Sequence, residues 1–150
     1  YGDHRDLHVR SRRQRQMCIR DSLAGGHGLT STAADYMKFA QMHLNKGILN
    51  GKRILSENAV SLMRSNQLPA DVPEIGQPYP GNVFGLDFAV VENPEIFQGA
   101  PAGTHWWWGI AGSWFWVDPV TETVFIGMIQ NNDILLSLQI HRAARSAMYE

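Results

Sequence analysis

Five tryptophans lie within eleven residues of the segment HWWWGIAGSWFWVDP, residues 105–119. Such a cluster can stack on sugars, enclose a ligand as an aromatic cage, or fill a core. Trp114 and Trp116 favour the core, because alternate residues of a strand share one face. Residues 106–109 allow more chemistry, since a strand that ends in glycine and turns through residues 110–112 can present backbone N–H groups, which are what an oxyanion needs.

A glycine-rich segment could in principle bind an anion. GGHGLTS, residues 25–31, places glycines before a predicted helix, where free N–H groups attract phosphate. It has no third glycine at dinucleotide spacing and no Gly-Lys-Ser/Thr motif. A tight turn that leads into a capped helix is therefore the better interpretation.

The histidines after residue 22 do not form a metal-binding pattern. They are His27, His43, His105 and His141. No two of them lie four residues apart on one helix, and no Cys or paired carboxylate joins them at ligand spacing. We expect no metal and no cofactor, and we interpret His43 and His141 as surface or boundary residues of helices.

A basic segment, RRQRQMCIRDS, stands near the start of the chain. Residues 1–22 carry a net charge of +3, whereas residues 23–150 carry −4. A basic arm of this kind is typical of a tether to nucleic acid or membrane, but here it holds no aromatic residue besides Tyr1 and no motif of a known binding module. Cys18 has no paired histidine and is a weak candidate nucleophile.

The same segment has a better explanation at the level of DNA. TAC GGC GAC CAC CGA GAT CTA CAC encodes residues 1–8 and resembles a flow-cell adapter for sequencing. CGT CGG CAG CGT CAG ATG TGT ATA AGA GAC, with AG and one further base, encodes residues 12–22 and resembles a transposase library adapter, with a sample index between them. We interpret residues 1–22 as a non-native, disordered tail, and we expect residues 23–150 to lack the N-terminal part of their domain.

The remaining composition is that of one globular domain. A length of 150 residues with 44% hydrophobic content allows a sizeable core. The longest apolar runs, such as residues 123–129, are far shorter than the roughly 20 residues that cross a bilayer. We predict no membrane span in this chain.

Three helices are predicted. The first follows Ser31 or Thr32 as its N-cap, has Asp35 in its first turn and stops at Gly47; the second follows Ser56; the third lies within residues 133–150. In the first helix Tyr36 and Phe39 flank the apolar stripe. The residues predicted to face the core are Ala33, Met37, Ala40 and Leu44, then Val60, Leu62 and Met63, then Leu135, Leu138, Ile140 and Ala144.

The strands are predicted mainly in the second half of the chain. Asn50-Gly51 predicts a hairpin turn, and residues 67–81, with four prolines and two glycines, predict a surface loop. Strands are predicted at residues 84–91, 104–109, 112–119 and 123–131. Residues 114–117 are all apolar, so both faces of their strand should be covered. The short turns predict an α+β fold class: an antiparallel sheet with helices packed on it.

The order of these blocks resembles the C-terminal half of the serine β-lactamase-related hydrolases. This family includes class C β-lactamases, penicillin-binding-protein-like peptidases and related carboxylesterases. The resemblance is carried by residues 25–66, then FGLDFAVV, WWWGIAGSWFWVDP and VFIGMIQ, and it covers nearly all of residues 24–132. It implies an incomplete part of a β-lactamase/penicillin-binding-protein-like fold.

The resemblance also implies a substrate-binding element. Trp107, Trp108 and Gly109 stand where the family has Lys-Thr-Gly or, in its esterase-like branch, Trp-Gly-Gly. Trp108 replaces a small middle residue, which weakens a carboxylate-holding role and favours an esterase-like or divergent substrate. The backbone N–H of Ile110 would then form part of the oxyanion hole, and residues 112–113 match the small pair that lets the chain return as the next strand.

Two other elements of the family are absent. No serine in residues 23–150 is followed three positions later by lysine, and Tyr36, Tyr79 and Tyr149 have no Asn two residues on. In the family the Ser-x-x-Lys nucleophile and the Tyr-x-Asn element come earlier in the chain. The resemblance implies a parent enzyme that cleaves ester or amide bonds, of β-lactam or D-amino-acyl type, through an acyl-enzyme, and a fragment that is inactive alone.

A carbohydrate- or peptide-binding module built on the tryptophans is the competing hypothesis. It predicts exposed, coplanar indoles, whereas the hydrolase hypothesis predicts buried Trp114 and Trp116 and a groove lined by residues 109–110. For the hydrolase, the partners are a small ester or amide substrate and the missing part of its own domain, and we expect no nucleic acid. A bacterial source is expected, and exported, periplasmic and cytoplasmic locations all stay open.

Overall fold

A computed structural model of the chain describes residues 30–97 and 99–149. The predicted non-native tail, residues 1–22, lies outside the described residues, and so do His27 and most of the glycine-rich segment. The residues from Thr32 onward form one compact unit.

The helices begin where the sequence supplies caps. Thr32 Oγ1 accepts a hydrogen bond from the Asp35 N–H at 3.1 Å, and Ser56 Oγ accepts one from the Ala59 N–H at 3.1 Å. The Asp133 carboxylate accepts from the N–H of Leu136 at 3.1 Å in the first turn of the last helix. The helices are α1 (Ala33–Leu44), α2 (Glu57–Met63) and α3 (Ile134–Tyr149).

Seven strands form two antiparallel sheets. The predicted hairpin is confirmed: β1 (Ile48–Leu49) pairs with β2 (Lys52–Arg53), and Asn50 and Gly51 have positive φ values of 50° and 75°. The larger sheet has the order β3-β4-β5-β6-β7, with each strand antiparallel to its neighbour. Its strands are β3 (Asn82–Phe84), β4 (Ala89–Val91), β5 (His105–Trp108), β6 (Trp114–Asp118) and β7 (Thr123–Gly127).

The prediction of one strand at residues 84–91 is wrong. β3 ends at Phe84, and the chain reverses before β4 begins at Ala89. Asp87 has a φ of 69°, which no extended strand accommodates. Gly85 lies so close to the Met63 carbonyl oxygen that a Cβ there would collide with it, so the turn is fixed by a contact with α2.

The larger sheet lies between α1 and α3, which confirms the predicted α+β architecture. One face, here called the α1 face, carries Phe88, His105, Phe115 and Val117. The opposite α3 face carries Trp106, Trp108, Trp114, Trp116 and Phe125. All five residues of β6 are buried, so the prediction that both faces of this strand are covered is confirmed.

Several predicted helix faces are wrong. Ala33, Leu62 and Leu135 are exposed, and the buried residues of α3 are Ser137, His141 and Arg145. Leu138, Ile140 and Ala144 do pack, partly buried, against the core of the α3 face, as predicted. None of the three described helices combines the length and apolar character that a bilayer crossing requires.

The placement of His43 and His141 at the surface or boundary is also wrong. Their exposed fractions are 1% and 5%. Each imidazole fits among aromatic rings: the centroid of His43 lies 5.1 Å from that of Phe88, and the centroid of His141 lies 4.3 Å from that of Trp114. Aromatic packing partners from other turns and strands decide this burial, and the spacing along one helix does not reveal them.

Candidate active site: the β5–β6 turn

The turn between β5 and β6 is closed by two backbone hydrogen bonds. The Gly109 N–H donates to the Ser113 carbonyl at 2.7 Å, and the Gly112 N–H donates to the Gly109 carbonyl at 2.9 Å. Gly112 has a φ of 95°, and a Cβ there would lie 2.8 Å from Ile129 Cγ1. The turn therefore requires glycine at position 112 for both backbone and packing reasons.

Ile110 lies at the tip of this turn. Its side chain is 75% exposed, and within the described residues its backbone N–H has no hydrogen-bond acceptor. An N–H held in a closed turn is a donor that needs little reorganisation to bind an oxyanion. The backbone N–H of Ile110, which the sequence analysis named as a candidate oxyanion donor, is therefore available in this turn.

Two half-buried indoles stand beside the turn. Trp107 and Trp108 are consecutive on β5, so their side chains leave opposite faces of the strand. Trp107 meets the edge of the Phe84 ring at a centroid distance of 5.1 Å, and Trp108 lies 6.1 Å from His141. The predicted binding residues therefore form an apolar wall that ends at Gly109.

Tyr79 belongs to the same wall, although sequence reasoning did not select it. It is 8% exposed, and its ring centroid lies 5.2 Å from Trp106, 6.0 Å from Trp107 and 6.5 Å from Trp108. Burial raises the pKa of the Tyr79 hydroxyl, and a hydrogen bond with the Trp108 side chain opposes part of this rise. A single aromatic residue within a proline-rich loop was the only available signal.

Asn82 fixes this loop against the sheet. Its Oδ1 accepts from Trp106 Nε1 at 2.8 Å, while its Nδ2 donates to the carbonyls of Tyr79 and Pro80 at 3.3 and 3.1 Å. Asn82 is fully buried, and an unpaired amide at such a position would destabilise the fold. These hydrogen bonds pair both its oxygen and its nitrogen. Asn82 therefore holds Tyr79 against the tryptophan wall.

Three of the five indoles are core residues. Trp106, Trp114 and Trp116 are only 5–6% exposed. Trp116 stacks on Phe125 with a centroid distance of 4.2 Å and an interplanar angle of 9°. The burial of Trp114 and Trp116 is what the hydrolase hypothesis predicted, and these three rings do not provide the exposed platform that a binding module would need.

The buried histidines are neutral spacers between aromatic rings. His43 and His105 lie 5.6 Å apart between α1 and the sheet. Burial lowers the pKa of His43 to about 4 and that of His105 to about 3, and the positive charge of Arg64 adds to both shifts. Across the described part of the chain, no group of three or more His, Cys, Asp or Glu residues is arranged to hold a metal ion.

Comparison with known families identifies the fold to which this turn belongs. The Beta-lactamase family model matches residues 2–145, a span that contains the β5–β6 turn. The chain belongs to the beta-lactamase family. The resemblance to the serine β-lactamase-related hydrolases is thereby confirmed. The match begins inside residues 1–22, and the adapter interpretation of those residues stays a prediction.

Two curated relatives of this beta-lactamase-family chain come from Mycobacterium tuberculosis. They are Protein Rv1367c of strain ATCC 25618 / H37Rv and Uncharacterized protein MT1414 of strain CDC 1551 / Oshkosh. Each is 37% identical over 116 residues, which cover 72% of this chain and 29% of the relative. The chain thus spans less than a third of the length of the curated relatives that it matches.

Solved structures share the fold at lower identity. The LovD6 mutant of simvastatin synthase from Aspergillus terreus superposes with a TM-score of 0.63 at 23% identity, covering 83% of this chain and 34% of that protein. EstCE1, a hydrolase with promiscuous acyltransferase activity, gives 0.62 at 21% identity, covering 87% and 34%. The beta-lactamase-family fold of this chain is therefore a partial one relative to these neighbours.

Proposed function

We propose that the chain is part of a serine hydrolase that cleaves ester or amide bonds through an acyl-enzyme, with residues 107–110 as one wall of its active site. The Ile110 N–H carries the proposal, because it lacks an acceptor among the described residues and lies in the turn that follows a central strand. Membership of a hydrolase family supports the reaction class.

In the proposed mechanism, a serine from a Ser-x-x-Lys element elsewhere in the longer protein attacks the substrate carbonyl carbon. The lysine and a tyrosine take the serine proton and deliver it to the leaving group. The carbonyl oxygen becomes an oxyanion, which accepts hydrogen bonds from the Ile110 N–H and from the N–H of the nucleophile. Water then releases the acyl group.

The side chains of the wall favour an ester substrate with an apolar acyl or alcohol group. Trp107 and Trp108 are half-buried and uncharged. In the proposed correspondence they stand in place of the cationic and small residues of the family's Lys-Thr-Gly element. A free carboxylate on the substrate would find no cation in this element. Apolar groups would instead bury area against the two indoles.

The 150-residue chain alone is proposed to be inactive. It contains no Ser-x-x-Lys element, so the acyl-enzyme cannot form in the proposed way. Incubation with p-nitrophenyl butyrate, followed at the absorbance of p-nitrophenolate, should give the rate of buffer alone. Turnover that co-purifies with the folded chain would contradict this part of the proposal.

The role of the Ile110 N–H is tested in the longer protein that contains this segment. Ile110→Pro removes the N–H, and loss of one oxyanion donor should lower kcat by roughly 100- to 1,000-fold. Ile110→Ala keeps the N–H and should stay near the parent rate. Ala111→Pro introduces a proline one residue further along the exposed turn, so it controls for the stiffening of the backbone that any proline causes.

Equal losses in Ile110→Pro and Ala111→Pro would assign the effect to the shape of the turn. An unchanged kcat in Ile110→Pro would place the oxyanion donor elsewhere. Either result would contradict the proposed role of Ile110.

A further inference from the structure

A cavity of about 90 Å³ lies between α3 and the α3 face of the sheet. Behind it lies a smaller chamber of about 10 Å³, enough for a single oxygen atom. The two share four lining residues: Phe97, Trp106, His141 and Arg145. Arg142 lines only the larger cavity, whereas Thr104, Trp114 and Trp116 line only the smaller chamber.

The inner chamber is surrounded by polar groups that lack partners. Thr104, Trp114, Trp116 and His141 all line it, and all are more than nine-tenths buried. Within the described residues, both indole N–H groups and both imidazole nitrogens have no hydrogen-bond partner. Buried polar groups are almost always paired, and an indole can only donate. The chamber is therefore suited to an oxygen atom that accepts hydrogen bonds from these indoles.

Two arginines, Arg142 and Arg145, line the larger cavity. Arg145 is 8% exposed, and its guanidinium carbon lies 4.0 Å above the Phe97 ring. The exposed Arg142 lines the outer cavity, and none of the described lining residues of either cavity is Asp or Glu. A guanidinium matches the two oxygens of a carboxylate in geometry as well as in charge.

We propose that this cavity binds a small carboxylate with a short apolar tail. One carboxylate oxygen would occupy the inner chamber and accept from the indole N–H groups, while Arg145 balances the charge. The tail would lie against Phe97 and Trp106 and point to the mouth beside Ile96. The cavity is smaller than the roughly 150 Å³ that holds benzene, so a tail of about three carbons fits. Ile110 does not line this cavity, although Tyr79 of the aromatic wall does.

The proposal is tested with sodium butyrate and the 150-residue chain. Indole N–H resonances are followed in ¹H–¹⁵N spectra at constant ionic strength. We expect saturable shifts of the Trp114 and Trp116 indole signals with a dissociation constant on the order of millimolar. Butyramide has the same shape without the charge, and inorganic phosphate has the charge without the tail. Each should bind at least about tenfold more weakly.

Charge variants test whether binding depends on this cavity or on the overall charge of the protein. Arg145→Gln should abolish the shifts, and Arg142→Glu at the exposed mouth should weaken binding at least about tenfold. Lys52→Glu makes the same change of charge on β2, away from the cavity, and should leave binding within about twofold. If Arg145→Gln does not fold, the result for Arg142→Glu decides.

Three outcomes would overturn the proposal. They are an absence of saturable shifts, equal binding of butyramide, and equal weakening by Lys52→Glu and Arg142→Glu. None of them bears on the Ile110 test, so the two proposals fail independently.

Discussion

The two faces of the larger sheet are packed in different ways. On the α1 face, Ala40, Phe88, Phe115 and Val117 are all at most 6% exposed, and the rings of Phe88 and Phe115 meet edge to face at 5.8 Å. On the α3 face, flat aromatic rings are stacked, and two cavities remain under the helix. The first arrangement maximises contact, whereas the second leaves space lined with donors.

The helices explain this difference. α1 presents Ala40 to the sheet, so the helix approaches closely. α3 presents Ser137, His141 and Arg145, which follow one another at intervals of four residues and form a polar stripe. Leu135 and Leu136 lie on the other sides of the helix and are exposed. The sheet is therefore packed without a described cavity under α1, whereas both cavities lie under α3.

Truncation of a large side chain on each face should sharpen this contrast. Phe115→Ala removes a ring enclosed by Tyr36 and Phe88 and should lower the free energy of unfolding by about 3–5 kcal/mol. Leu138→Ala, which borders a cavity and is only partly buried, should cost about 1–2 kcal/mol. Urea unfolding measures both, with the exposed Val120→Ala as the control. An equal loss of unfolding free energy in Phe115→Ala and Leu138→Ala would contradict the proposed difference between the two faces.

The α1 face should also be the more acid-sensitive one. Burial holds the pKa of His43 at about 4, that of His105 at about 3 and that of His141 at about 4, against 6.5 for an unperturbed histidine. As the pH falls below 6.5, the unfolded chain binds protons first. The stability contributed by neutral burial is therefore complete above 6.5 and is lost as the pH falls towards the folded-state values.

Each histidine should account for about 1–2 kcal/mol between pH 6.5 and 5. Besides burial, His43 and Arg64 lower the pKa of His105, Arg64 lowers that of His43, and Arg145 lowers that of His141. Replacing both His43 and His105 with Gln should remove a larger part of the pH dependence of unfolding than His141→Gln. Identical pH profiles for the double variant and the parent would contradict this assignment.

A single hydroxyl at the end of α3 should give the smallest effect. The Tyr149 hydroxyl donates to the Asp118 carboxylate at 2.9 Å and joins the helix to β6. Burial and this carboxylate raise the pKa of Tyr149, so it stays a donor at neutral pH. Tyr149→Phe should cost about 1–2 kcal/mol by thermal unfolding. Tyr36→Phe on the α1 face is the matched control, and a larger loss there would reverse the expectation.

What the sequence predicts well depends on local interactions. The caps of α1 and α2 and the Asn50-Gly51 hairpin involve groups within a few residues of one another, and all were predicted. The end of β3 was not predicted. It depends on the close approach of Gly85 to the carbonyl of Met63, which is a contact between separate elements.

The candidate site divides in the same way. The turn after β5 was predictable from its glycines, because these restrict the local backbone. The packing of Tyr79 against the tryptophans was not, because it depends on the hydrogen bonds of Asn82 across the loop. The inward polar stripe of α3 was missed because the aromatic partners of His141 come from β5 and β6.

The most direct test of the proposed function is a crystal structure of the longer protein with a phosphonate ester that traps the nucleophilic serine. The phosphonyl oxygen mimics the oxyanion. We predict that it accepts a hydrogen bond from the Ile110 N–H at about 2.7–3.1 Å, with Trp107 or Trp108 against the alkyl group. A phosphonyl oxygen bound only to other donors, with the Ile110 N–H facing solvent, would contradict the central claim.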